Sequence, residues 1–203
     1  MARTGRPREF DRDDAVTQAM YLFWEHGFEG VSLEQLRRSM GGISSASFYA
    51  AFGSKEALYR TTLEKYHETH GKVMLALLDE NLLPRQRLEQ ALRRSAEMQT
   101  DPSHPTGCMV TLSSTICSVD GASLQELTLA ERAANREAIR ASIDAAISAG
   151  TLRPDTNPAG LAALFDGVLV GLSIQARDGV SSNDLDAGVT QALAAWDANS
   201  GVP

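Results

Sequence analysis

The stretch from Ser32 to Leu58, SLEQLRRSMGGISSASFYAAFGSKEAL, decides how the rest of the chain is read. Ser32 followed three residues later by Gln35 forms a capping box, in which each side chain satisfies a backbone N–H that the helix start leaves orphaned. Leu33, Leu36 and Met40 recur at helical spacing, so one face of this helix points inward. Gly41 and Gly42 end it, because glycine takes left-handed backbone angles without steric cost. The next segment, Ser44 to Phe52, has a hydroxyl-rich entry and carries Phe48, Tyr49 and Phe52 at its far end. It is expected to dock by these aromatics and to turn Ser45, Ala46 and Ser47 outward. A second break then opens a longer helix. This order follows helix-turn-helix logic, in which the second helix is presented to a DNA groove.

The spacing Tyr49-x-x-Phe52-x-x-Lys55-x-x-Leu58, preceded by Gly27-Phe28-x-Gly30-x-Ser32, resembles the DNA-binding domain of the TetR family of bacterial transcriptional regulators. The resemblance covers residues 8 to 60 and extends beyond them only as an all-helical pattern. It implies that the short third helix lies in the DNA major groove, that Tyr49 contacts phosphate and that Lys55 opens the fourth helix against the DNA backbone. Gly41-Gly42 departs from the family by being one residue longer than the usual turn. The DNA-contacting set is therefore Ser32, Ser44, Ser45, Ala46, Ser47, Tyr49 and Lys55, joined by Arg6 and Arg8 from the N-terminal arm. Ser45, Ala46 and Ser47 are nearest the bases. Because the recognition segment holds neither arginine nor asparagine, it lacks the strongest bidentate base readers. Specificity per base is then modest, and the arm or DNA shape supplements it.

The 203 residues suffice for a substantial core, and the net charge is −7. That charge suits a nucleic-acid binder only once it is divided. Residues 1–60 hold eight Lys/Arg against eight Asp/Glu, and residues 61–203 hold eleven against eighteen. The acidic part is expected to face away from phosphate. MARTGRPREF has no apolar signal core, and no apolar run reaches the ~20 residues that cross a bilayer. The expectation is a cytoplasmic protein that does not engage membranes.

Residues 1–9 read as a basic arm, flexible in the free protein, which either reaches a minor groove or is a solvated end. Asp11 caps a helix with Ala15, Ala19, Leu22, Phe23 and His26 on one stripe, and Gly27 ends it. His26 is expected as a structural histidine at its buried edge. From Ser54 to about Asn81 a long helix ties two domains together, with Gly71 as a site for a bend. His67 and His70 are three residues apart without a third metal ligand nearby and read as surface residues. Pro84 opens a helix through Leu88, Leu92, Ala96 and Met98, followed by a proline-rich loop at 101–105.

Gly107 to Val119 carries no charge and reads as a central buried helix or pocket wall. Its hydroxyls either orient a mildly polar ligand or bond back to their own helix. Cys108 and Cys117 would point about 180° apart on one helix and sit about 13 Å apart along it, which disfavours a disulfide. Thiol sensing, with His104 or alone, is a lesser alternative for the two cysteines. Ser123 to Gly150 is amphipathic, with Glu131, Arg132, Arg136, Glu137 and Arg140 outward. Pro158–Arg177 is apolar nearly all round and small at Gly160, Gly167 and Gly171, and a last helix spans Asp184 to Trp196.

The fold class expected is all-α: an N-terminal three-helix DNA-binding domain (1–60), joined by a long helix to a C-terminal helical bundle (61–203) that binds ligand and dimerises. Leu161, Phe165, Val168, Leu172, Leu193 and Trp196 are the candidates for the dimer centre. Leu77, Met98, Cys108, Met109, Leu112, Ile116 and Phe165 are candidates for lining a mainly apolar effector pocket. No P-loop, dinucleotide fingerprint, nucleophile elbow or catalytic constellation occurs, so no enzyme, cofactor or metal centre is expected. The expected partners are double-stranded operator DNA, a second copy of the chain and an unidentified small-molecule effector. The expected function is a ligand-responsive repressor released from a pseudo-palindromic operator. A helical protein-binding adaptor is the alternative from another class, and it leaves the Tyr49-to-Lys55 spacing unexplained.

Overall fold

The computed structural model describes residues 11–113 and 122–201. Arg6 and Arg8 of the arm, and Ile116 and Cys117, lie outside them. Among the described residues the chain is all-α: α1 Arg12–Gly30, α2 Leu33–Ser39, α3 Ser45–Phe52, α4 Lys55–Glu68, a 3₁₀ helix His70–Leu78, α5 Pro84–Gln99, α6 Met109–Leu112, α7 Ala122–Ser148, α8 Pro158–Arg177 and α9 Ser182–Asp197. One isolated antiparallel bridge joins Leu152 to Ser200.

Local rules account for most boundaries. Asp11 accepts from the N–H groups of Asp13 and Asp14, Ser44 from Ser47, Ser54 from Ala57, Asn157 from Gly160 and Ser181 from Asp184. Each side chain fills a donor that the first helical turn leaves open. Ser32 and Gln35 make the reciprocal box. Gly41 and Gly42, at φ 81° and 78°, turn the chain between α2 and α3. Gly42 donates to the Arg37 carbonyl, and Arg37 Nε reaches across the turn to the Ile43 carbonyl at 2.7 Å, fixing α3 against α2.

Two apolar cores form. The first gathers Ala19, Phe23, Trp24, Leu36, Phe48, Leu58, Tyr59 and Tyr66 around α1–α4, and it also takes in Met109, Val110 and Leu124 from the later chain. The second packs α5, α7, α8 and α9 around Leu88, Leu92, Ile143, Phe165, Val189 and Trp196. Met109 and Val110 therefore wedge part of the second half into the first.

Several expectations are corrected. The long linking helix breaks at Thr69 (φ −118°, ψ −85°), just before Gly71, and continues as the 3₁₀ helix. A Cβ at Gly71 would lie 3.3 Å from the Tyr66 carbonyl oxygen, so this turn is tight. Of the uncharged segment the structure describes residues 107–113, and among these it is helical over Met109–Leu112, after an extended Cys108 and up to a cap at Ser113. His26 is exposed, since α1 buries Phe23 and Trp24 instead. Pro158–Arg177 is 20 residues long with a mean hydropathy of 1.6 over its best window, so by length and composition alone one apolar helix does meet the requirement for crossing a bilayer. Its three glycines and Asp166 interrupt the run enough to hide this from a scan for unbroken apolar residues. In the fold, α8 buries one side in the second core and turns Asp166 and Ser173 to a cavity.

Candidate functional site

The first candidate surface is the outer side of α3. Phe48 and Phe52 are buried with ring centroids 5.4 Å apart and planes tilted by 55°, which fastens α3 into the first core. Ser44, Ser45, Ala46 and Ser47 are all exposed, as is Tyr49 at 52 %. The aromatic row thus divides: two rings anchor the helix, and Tyr49, which was expected to dock with them, stands outside. Ser32 is exposed at the start of α2, although its Oγ already accepts from Gln35 N–H and donates to Gln35 Oε1. Lys55 opens α4, but its Nζ lies 4.3 Å from the centre of the Phe28 ring. Burial lowers its pKa, opposed by the charges of Glu29 and Glu56. Its ammonium is therefore partly committed to a cation–π contact inside the domain.

The second candidate surface is a cavity of about 60 Å³ between the end of α4, the 3₁₀ helix, α5, α6, α7 and α8. Met98 and Cys108, two of the effector-pocket candidates, line it. Leu77 and Phe165 are instead buried in the second core and Met109 in the first, while Leu112 packs at Gly107. The wall that was missed is polar: His67, Glu131, Arg132, Asn135, Asp166 and Ser173, with Val73, Met74, Leu169 and Val170 between them. Glu131 and Arg132 thus turn inward, contrary to their expected outward direction. His67 Nε2 lies 2.7 Å from Glu131 Oε1, close enough for an ion pair when the imidazole carries its second proton. Arg132 donates to the Val110 carbonyl at 3.0 Å, and Asp166 is held by Arg136 at 3.3 Å. Tyr66 donates to Cys108 Sγ at 3.4 Å, and burial, then the neighbouring thiol, raises its pKa well above the ordinary phenol value. The cavity offers a ligand an apolar floor and a charged rim. No group of three or more possible metal ligands occurs among the described residues.

A third feature joins the two. Trp24 is fully buried at the junction, donates from Nε1 to the Gly107 carbonyl at 3.2 Å and stacks on His104 with centroids 4.6 Å apart. His70 lies 5.1 Å from the Trp24 ring and 4.4 Å from that of His104. Burial lowers the His70 pKa, and His104 lowers it further against the opposing pull of Asp101. The Tyr59 hydroxyl pairs with Ser113 Oγ, and Phe28 N–H donates to the Ser113 carbonyl at 2.9 Å. Cys108, Val110 and Thr111 face the cavity from the same short segment that grips α1 and α4.

The residues expected at the dimer centre are placed differently. Leu161, Phe165, Leu172, Leu193 and Trp196 are buried within one protomer, and Val168 is half-buried. Periodicity could not separate the faces of a helix that is apolar nearly all round. The uncovered apolar side of α8 is instead Leu164 (44 % exposed), Gly167 and Ile174 (48 % exposed), bordered by Gly171. Gly188 of α9 continues it, and no atom lies within 4 Å of a Cβ built at Gly167 or Gly188.

Residues 16–62 match the model of the bacterial regulatory proteins of the tetR family, and residues 84–192 match the tetracyclin repressor-like C-terminal domain. The chain is 30 % identical over 182 residues to the HTH-type transcriptional repressor ComR of Escherichia coli, covering 89 % of this chain and 86 % of that one. It is 33 % identical over 106 residues to the repressor BdcR of the same organism, about half of each chain. Among solved structures, a cysteine-substituted form of the TetR family regulator CifR, complexed with a 26-base-pair operator duplex, matches with a TM-score of 0.85 at 38 % identity, covering 94 % of this chain and 100 % of that one.

Proposed function

The chain belongs to the TetR family of bacterial transcriptional regulators, and from that membership we propose how its parts divide the work of a ligand-responsive DNA-binding repressor. Proteins of this family bind operator DNA and are not enzymes. They are soluble and act in the bacterial cytoplasm, which is the proposed setting for this chain and its operator.

The carrying observation is the exposed row Ser44–Ser47 and Tyr49 on a helix whose other side is pinned by Phe48 and Phe52. In the proposed complex α3 enters the major groove, Tyr49 and the α2 and α4 starts hold phosphates, and the hydroxyls meet base edges. Arg6 and Arg8 add contacts from the arm. Lys55 contributes through its position at the start of α4, with part of its charge held by Phe28. Two chains pair through the uncovered α8 side around Leu164, Gly167 and Gly171 with Gly188 of α9, placing two recognition helices on a pseudo-palindrome.

The effector enters the cavity between Tyr66, Met98, Cys108, Arg132 and Ser173. Its class is a small molecule with an apolar body and one or two polar groups, which the floor and rim complement. Because the cavity is small, a ligand displaces the 107–113 segment, and that segment holds Trp24, Phe28 and Tyr59. Release from DNA follows if the ligand binds the displaced arrangement more tightly.

The test is a gel shift with DNA from upstream of the chain's own gene, for the wild type and Tyr49→Ala. A sharp wild-type complex that weakens with added salt, and weakens further in the variant, supports the reading. Equal binding of scrambled DNA by both proteins would refute it.

A further inference from the structure

The α1 helix contains a break that the second half of the chain fills. At Gly27 (φ 73°, ψ 166°) the ladder is interrupted, and Phe28 N–H turns to the Ser113 carbonyl at 2.9 Å. The Phe28 N–H is thereby withdrawn from the Trp24 carbonyl, its usual acceptor four residues back, and the Glu25 carbonyl lies next to it in the chain. One guanidinium takes both. Arg177, the last residue of α8, donates from Nη2 to Trp24 O at 2.8 Å and to Glu25 O at 2.9 Å, and from Nη1 to Glu25 Oε2 at 3.0 Å. A cation at the C-terminal end of a helical segment is further favoured by the helix dipole.

The rest of α8 explains why this joint matters. One side of α8 meets the cavity at Asp166 and Ser173, another presents Leu164 and Gly167 to the proposed partner chain, and its final residue holds the DNA-binding domain. The connection through α4 is interrupted at Thr69, whereas α8 is continuous from Pro158 to Arg177.

We propose that Arg177 is a positioning residue that fixes the DNA-binding domain on the dimer helix and so sets the operator half-site spacing the protein accepts. This rests on the dimer reading given above. Arg177 acts through α1 and does not touch DNA. The role calls for arginine: a planar fork spans two carbonyls and a carboxylate at once, whereas a lysine ammonium cannot.

The test uses full-length protein and a duplex selected by the wild type from a random-sequence library, with derivatives whose centre is one or two base pairs longer or shorter. Each base pair moves one half-site by about 3.4 Å and about 35°. The wild type is expected to lose at least about tenfold in affinity for a one-pair change. Arg177→Met, folded and dimeric by circular dichroism and sedimentation, is expected to bind the best duplex about tenfold more weakly and to lose most of that spacing preference. Glu25→Gln, which keeps both carbonyl contacts, is expected to relax the preference less. Should Arg177→Met not fold, Arg177→Lys is read in the same way, since it retains the cation and the stem. An Arg177 variant with the wild-type spacing profile overturns the proposal while leaving the dimer reading intact. A wild type that sediments as a monomer on DNA and ignores spacing overturns both.

Discussion

Gly167→Leu separates the protomer from the dimer. Within one chain a side chain at 167 points into open space, with no atom within 4 Å of its Cβ, and the residue sits in the middle of α8. Replacing a mid-helix glycine by leucine should therefore favour the helix by about 0.7 kcal/mol. In the proposed pair the same side chain intrudes where two helices approach. Overpacking a well-fitted contact costs ~1–3 kcal/mol, and two-fold symmetry applies it twice. The net penalty of roughly 2–6 kcal/mol corresponds to a dimer about 30-fold to 10⁴-fold weaker, at ~1.4 kcal/mol per factor of ten. Sedimentation velocity over a dilution series measures this, with helix content by circular dichroism on the same samples. The expected outcome is a well-folded protein shifted to monomer. A variant that is folded and associates as tightly as the wild type would show that this side of α8 is not the contact.

Three further outcomes follow from the junction and the DNA face. Ser113→Ala removes the buried pair between Ser113 Oγ and the Tyr59 hydroxyl, so stability should fall by ~1 kcal/mol, read as a lower thermal midpoint. His70 has a lowered pKa in the fold, so the unfolded chain binds its proton first as pH drops. Its contribution to stability is fully present above the unfolded histidine value of about 6.5 and is lost as pH falls from there through the lowered value in the fold. The group stays neutral in the fold down to its lowered value, and denaturant melts of the wild type and His70→Gln should diverge across this window. Equal pH profiles would contradict it. Ser32→Ala removes the hydroxyl half of the α2 capping box and leaves the bond from the residue-32 N–H to Gln35 Oε1, at a cost of about 1 kcal/mol, measurable by chemical denaturation.

The helix-turn-helix was legible because its signals are local. The Ser32–Gln35 box, the paired glycines and the aromatic spacing of α3 each fix a turn or a face without help from distant chain. The two cores were less legible, because the segment that joins them has a mixed pattern. Gly107–Val119 carries no charge, so periodicity suggested one continuous helix, yet the chain is drawn out at Cys108 by contacts to Trp24 and Tyr59, far away in sequence. Trp24 escaped notice since the α1 stripe could be completed without it. Arg177 and Arg132 look like ordinary surface charges until the fold brings backbone carbonyls to them. The burial of Leu161, Phe165, Leu172, Leu193 and Trp196 within the protomer was hidden for a related reason. On α8 the large residues fill the protomer core, and the small ones, which sequence reading treats as spacers, are left on the outside.

Hydroxyl-radical footprinting of the protein on a library-selected duplex tests the central claim most directly. The account predicts two protected half-sites related by a two-fold axis, their centres about one helical turn or a multiple of it apart. Both should fade in Gly167→Leu and weaken in Tyr49→Ala. A single protected patch that is unchanged in Gly167→Leu, or protection spread evenly along any duplex, would contradict it.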